Sequence, residues 1–257
     1  MKADDAATQA GPAAAPAPPA PPAPRADWAY FVDLDGTLLD IAPSPADVHL
    51  DEEVQTLLTE LSEFAGGAVA LISGRSISDI GSLISEPCLP IAGQHGLERR
   101  DATGRITAHE EQSNGLERAA GRLEREVRKY SGLLLEQKGL SLALHYRAVP
   151  ELAGHVHTVM RRLCAELGPE YVLQEGKRVV ELKPAGKDKG VAVQEFMREP
   201  PFRGRTPVFL GDDATDEYAF AVVNEENGIS IKVGPGKTGA RFRLKDVRAV
   251  RRWLDTR

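Results

Sequence analysis

Two aspartates stand two residues apart directly after a short apolar run: Trp28-Ala29-Tyr30-Phe31-Val32 leads into Asp33-Leu34-Asp35-Gly36-Thr37. The run has the aromatic and β-branched character of a buried strand. On an ideal strand, residues two apart point to one side, and Gly36 then lets the backbone turn sharply. Carboxylates at a buried strand end are costly unless something pairs with them, and a hard cation with oxygen ligands suits them best. An Asp-Gly turn closing a strand is the plainer reading of the same residues. A second acidic run, Gly211-Asp212-Asp213-Ala214-Thr215-Asp216-Glu217, follows another apolar stretch at 207–210. Four acids in six residues exceed what capping a helix start requires, which favours metal binding there.

The elements around these runs alternate. After the first strand, Val54, Leu57, Leu58 and Leu61 give the spacing of an amphipathic helix over 51–64, stopped by Gly66-Gly67. A strand at 68–72 ends in Ser73-Gly74-Arg75, a helix covers 76–84, and a third apolar run at 89–92 ends in Gly93-Gln94-His95-Gly96-Leu97-Glu98. Strand–helix alternation predicts a parallel sheet, and ligands of such sheets bind beyond the carboxyl ends of the strands.

Past residue 100 the pattern changes. Asp101-Ala102-Thr103-Gly104 has turn composition; helices are expected at 113–130 and 150–167, each followed by two short strands, at 133–136 and 140–147, then at 171–173 and 178–182. This is an α+β unit inserted between parts of the parallel sheet. Helices at 188–198, 215–223 and 247–254 and strands at 207–210 and 229–233 complete the chain. The division is therefore residues 28–104 and 184–257 for an α/β core and 105–183 for a lid.

Residues 12–24 hold seven of the 18 prolines, so residues 1–27 are expected to be a disordered Ala/Pro-rich tail. It lacks the basic start and continuous apolar core of a signal peptide. A formal net charge of −6 argues against nucleic acid or an anionic membrane as the main partner. No apolar run approaches a membrane span. Cys88 and Cys164 read as small buried hydrophobes in a reducing, cytoplasmic setting. Gly236-Lys237-Thr238 is not the end of a P-loop, because position 231, where that motif needs glycine, is Ile231.

Taken in order, DLDGT at 33–37, Ser73 within LISGR, Lys189-Gly190 opening a helix, and GDDATDE at 211–217 resemble the motifs of the haloacid-dehalogenase-like (HAD) phosphohydrolases. That superfamily has a Rossmannoid parallel-sheet core with an α+β cap inserted where this chain changes pattern. A narrower resemblance, to trehalose-6-phosphate phosphatases, rests on AGQHGLE at 92–98, LALHYR at 142–147 and EGKRVVELKP at 175–184. The match runs from about Trp28 to the C-terminus and leaves out the tail.

The resemblance implies a phosphatase acting on a small-molecule sugar phosphate, with Mg²⁺ as cofactor. Its substrate would be trehalose 6-phosphate or, alternatively, sucrose phosphate or mannosyl-phosphoglycerate. A functional link to a trehalose-6-phosphate synthase is left open. Asp33 is the expected nucleophile, and Asp35 the acid that protonates the leaving oxygen, which requires a proton on Asp35 at the outset. Thr37, Ser73, the amide of Gly74 and Lys189 would bind phosphate, with Lys187 a competitor for the last role. Asp33, Asp212 and the Asp35 carbonyl would hold Mg²⁺, and Asp213 and Asp216 would stand behind them. Gln94, His95 and Glu98 from the core and Arg147, Lys177 and Glu181 from the lid would contact the sugar, with hinges near 98–112 and 183–187.

Overall fold

A computed structural model describes residues 18–41, 51–84, 89–109 and 115–257. In chain order, β1 (Trp28–Val32) is followed by α1 (Glu52–Phe64), β2 (Val69–Ile72), α2 (Ile77–Leu83) and β3 (Ile91–Gly93). A hairpin of β4 (Glu98–Arg100) and β5 (Ile106–Ala108) comes next. Then follow α3 (Gly115–Lys129), β6 (Leu134–Gln137), β7 (Leu142–His145), α4 (Ala153–Leu167), β8 (Tyr171–Gly176) and β9 (Val179–Pro184). The last elements are α5 (Lys189–Met197), β10 (Thr206–Gly211), α6 (Asp216–Glu225), β11 (Ile229–Val233), β12 (Phe242–Leu244) and α7 (Val247–Leu254).

The larger sheet has the order β12-β11-β10-β1-β2-β3-β4-β5. It is parallel from β12 to β3 and turns antiparallel at β4 and β5. β1 lies at its middle, covered on both faces, which is why every position of Trp28–Val32 is buried and the strand shows no polar alternation. Phe31 stacks on Phe202 with ring centroids 5.4 Å apart and lies 6.1 Å from Phe196. Truncating such a ring to alanine costs about 3–5 kcal/mol. Helix starts are set by short acids and hydroxyls: Asp51 accepts from Val54 N, Ser76 forms a capping box with Asp79, and Asp188 accepts from Val191 N.

The smaller sheet, β6-β7-β9-β8, is antiparallel throughout. With α3 and α4 it encloses its own apolar cluster, including Leu116, Leu123, Leu144, Met160 and Val180. The helix expected at 113–130 is seen as Gly115–Lys129, its predicted start at Ser113 lying outside the described residues; the one at 150–167 opens as a 3-10 turn at Pro150–Leu152.

Three expectations are corrected. Residue 105 is not a boundary between sheets, because Ile106–Ala108 pairs with Glu98–Arg100 in the larger one. Residues 18–27 are not a free tail: Arg243 N donates to Pro19 O at 2.9 Å, and the Trp253 indole donates to Pro22 O at 2.9 Å. The carbonyls of this proline-rich stretch satisfy donors on edge strand β12 and helix α7, which composition could not reveal. Cys164 is half-buried, with its thiol 3.4 Å from Tyr171 O; Cys88 lies outside the described residues. Among the described residues, no helix is long and apolar enough to cross a membrane.

Candidate active site

β1 and β10 are neighbours with Val32 opposite Leu210, and Asp33 N continues the ladder to Leu210 O at 3.1 Å. The first residue past each strand, Asp33 and Asp212, therefore meets the other at one edge of the sheet. Lys189 enters from the first turn of α5, where a cation is disfavoured by the helix dipole. Two carboxylates offset that cost: the Lys189 ammonium lies 2.8 Å from Asp33 Oδ1 and 2.6 Å from Asp216 Oδ1. All three side chains are buried. Burial alone would lower the Lys189 pKa, but Asp216 and Asp33 outweigh it and hold the ammonium above the usual lysine range. Lys187, the competitor, pairs with Glu195 instead.

Gly36 adopts φ +88°, and a Cβ there would lie 2.5 Å from the Asp212 carboxylate, so the turn after Asp35 needs glycine on both counts. Asp35 is gripped by Arg75, whose Nε and Nη2 donate at 2.7 and 2.8 Å to its two oxygens. This fork suits a carboxylate, whereas the sequence reading asks for a carboxylic acid. Thr37 Oγ1 is buried without a hydrogen-bond partner among the described residues. Ser73, at the end of β2, is buried and its hydroxyl accepts from Arg75 N at 3.2 Å. Gly74 must lack a side chain because a Cβ would sit 2.8 Å from the His95 ring.

His95 is buried in left-handed backbone, φ 57°. Burial lowers its pKa, and Glu181, 3.4 Å away, only partly opposes this. Glu181, on β9 of the smaller sheet, is buried. Burial would raise its pKa, yet Lys138, His95 and Ser141 together hold it well below the usual carboxylate range. Lys138 Nζ also donates to Gly74 O at 3.1 Å, fastening the smaller sheet to the larger, while Ser141 Oγ donates to Glu181 at 2.5 Å within the smaller one.

Between the sheets lies a cavity of about 520 Å³ whose lining includes Asp33, Asp35, Ser73, Lys189 and Asp212 below and Glu136, Lys138, His145 and Arg147 above. Lys177, at the tip of the β8–β9 hairpin, reaches Asp212 Oδ2 at 3.0 Å. Two predicted sugar contacts are placed elsewhere: Gln94 and Glu98 are not among the lining residues. They hydrogen-bond each other, and Glu98 Oε2 accepts from Ile77 N at 2.8 Å, bracing the start of α2. Sequence reasoning missed Arg75, Glu136, Lys138 and His145. Arg75 and His145 lie within quoted motifs, but nothing in their spacing marks Glu136 or Lys138.

One carboxylate oxygen each from Asp33, Asp212 and Asp216 lies within 4.8 Å of the others, a hard, anionic donor set that fits a divalent cation such as Mg²⁺. Asp216 is fully buried inside this group, with Oδ1 held by the Lys189 ammonium. The reason is local: α6 starts at Asp216 and turns its side chain inward, where Oδ2 accepts from Asp213 N at 2.8 Å. Asp213 caps the adjacent Ala214 N at 2.6 Å.

Comparison with known proteins agrees with this layout. The family model described as Trehalose-phosphatase matches residues 31–248. Trehalose-6-phosphate phosphatase of Escherichia coli (strain K12) is 44% identical over 230 residues, covering 90% of this chain and 86% of that protein. The C-terminal domain of C. albicans trehalose-6-phosphate phosphatase superposes with a TM-score of 0.77 at 23% identity, over 88% of this chain and 89% of that one. A haloacid dehalogenase-like hydrolase from B. subtilis superposes with a TM-score of 0.63 at 15% identity, over 89% and 99% of the two chains. With its carboxylates and lysine at the carboxyl edge of a HAD-like parallel sheet, under an additional antiparallel sheet, the chain is a phosphatase that belongs to the trehalose-phosphatase family.

Proposed function

We propose that this enzyme hydrolyses trehalose 6-phosphate to trehalose and inorganic phosphate through a phosphorylated Asp33. The observation that carries the reading is the Lys189 ammonium held between Asp33 and Asp216, with Asp212 in the same group and a cavity above whose lining includes Glu136, Lys138 and Arg147. A phosphate dianion repels a carboxylate nucleophile, so positive charge must meet it first. Lys189 supplies one charge. Asp33, Asp212 and the Asp35 carbonyl, with Asp216 beside them, would hold Mg²⁺, which when bound supplies the rest.

In the first step Asp33 attacks phosphorus, the bond from phosphorus to the sugar oxygen breaks, and Asp35 gives that oxygen its proton. In the second, Asp35 takes a proton from water, the water oxygen attacks phosphorus, and Asp33 is released with free phosphate. Asp35 can serve as the acid only once Arg75 lets go, so substrate entry must draw the guanidinium towards the phosphoryl group. The Thr37 hydroxyl, which has no hydrogen-bond partner among the described residues, Ser73 and the Gly74 amide would donate to phosphoryl oxygens.

A disaccharide presents hydroxyls, which paired carboxylates and cations can both donate to and accept from. Glu136, Lys138, His145 and Arg147 line the roof and are the proposed sugar contacts, while Lys177 and Glu181 adjoin the same space. Of the hinges expected near 98–112 and 183–187, the first would serve closure only where the chain leaves β5, since Glu98–Arg100 and Ile106–Ala108 are paired within the larger sheet. We assign the enzyme to the cytoplasm. The deciding experiment measures phosphate release from a sugar-phosphate panel with and without Mg²⁺. Marked preference for trehalose 6-phosphate, abolished reversibly by EDTA, is expected; equal turnover of sucrose phosphate or mannosyl-phosphoglycerate would defeat the substrate assignment.

A further inference from the structure

Among the buried lysines, Lys232 has no part in the reaction just described. It lies on β11 directly opposite Gly211, the last residue of β10. Its side chain reaches across that register, donating to the main-chain carbonyl of Asp212 and, at 3.1 Å, to its own strand's Val233 carbonyl. An ammonium set on neutral carbonyls in a buried place is expensive to keep. A charge kept against that cost asks for a use.

The contact falls on the main chain of the residue whose carboxylate faces Gly36 and joins Asp33 and Asp216. A peptide unit is planar, so tying the Asp212 carbonyl fixes the plane that leaves Asp212 and removes its freedom to swing. We propose that Lys232 is a positioning residue for the cation-binding acid, anchoring the Asp212 carbonyl so that the carboxylate is preset for Mg²⁺. This rests on the Mg²⁺ reading given above.

Charge and anchoring have opposite consequences, which makes the role measurable. A positive group close to a dication repels it, so loss of charge alone would tighten Mg²⁺ binding. Loss of the anchor would weaken it, by roughly tenfold or more, as for groups that orient metal ligands. Isothermal titration of metal-stripped protein with Mg²⁺ should therefore give clearly weaker binding for Lys232→Met than for wild type. Lys232→Arg, which keeps a donor, should recover most of the affinity. Turnover of Lys232→Met should return to within about twofold of wild type at saturating Mg²⁺, with unchanged KM for the sugar phosphate. Circular dichroism melts in EDTA establish that each variant is folded, and if Lys232→Met is not, Lys232→Gln carries the same comparison. Equal or tighter Mg²⁺ binding without the lysine overturns the proposal, as does turnover that stays low at saturation. Wild-type protein that takes up no Mg²⁺ would instead remove the Mg²⁺ reading, and the anchor with it.

Discussion

Beneath the cavity, Asp33, Ser73 and Asp212 each follow the last residue of adjacent parallel strands; above it, Lys138, Arg147 and Lys177 project from turns and strand ends of an antiparallel sheet with a separate apolar core. The floor is held by backbone ladders and buried ion pairs, and its groups have little freedom left. The roof is joined to it through a few side-chain contacts: Lys138 to Gly74 O, His95 to Glu181, and Lys177 to Asp212. On the proposed reading, chemistry that must be repeated to within fractions of an ångström belongs to the rigid layer, and recognition of a sugar, which must enter and leave, to the layer that can be unfastened.

This contrast can be broken most severely at the floor. Asp33→Asn should lower phosphate release by a factor on the order of 10³ or more, with an unchanged circular dichroism spectrum; near-normal turnover would show that another group is the nucleophile. Lys189→Met should also be inactive, and because it strands Asp33 and Asp216 in a buried site it should lose about 3–5 kcal/mol in urea denaturation. If stability held, those carboxylates would have another partner.

At the roof, Arg147→Ala should raise KM roughly tenfold with kcat within a few-fold, the signature of lost ground-state binding. A fall in kcat alone would move Arg147 into the reaction.

Glu181 tests the fastening between the layers through pH. Its pKa is held below the ordinary value of 4.5 in the folded protein. Its contribution to stability is therefore complete above about pH 4.5 and shrinks as pH falls towards the folded value. Wild type should thus lead Glu181→Gln in urea denaturation at pH 7, and the gap should narrow at pH 3. A gap that widened in acid would contradict the ion-pair assignment.

The smallest effect is expected where residues 18–25 lie along the larger sheet. Trp253→Phe removes one hydrogen bond, to Pro22 O, and should cost about 1 kcal/mol in thermal or chemical unfolding while leaving activity untouched.

The floor was legible in the sequence because its residues lie next to elements with strong local signals. An apolar run must be a buried strand, and acids directly after it have one place to go. The roof was legible only in part. Arg147, Lys177 and Glu181 could be found by resemblance, but Lys138 sits in a turn whose composition fits any exposed hairpin. Gln94 and Glu98, expected at the sugar, lie outside the cavity lining because the backbone path, which local sequence does not reveal, turned Glu98 towards Ile77 N. Asp35 was read as an acid awaiting substrate, without Arg75, because their contact spans 40 residues of sequence.

What the chain determined locally is the set of strands and helices, their caps, and the acids and lysine at their ends, since periodicity, propensity and capping act over a few residues. What only tertiary structure decided is which ends meet. Strand order put Asp33 beside Asp212, the inward turn of α6 placed Asp216 on Lys189, and the β11–β10 register brought Lys232 under the Asp212 carbonyl. Burial then gave those meetings their energetic weight, because charges removed from water interact strongly with whatever they face.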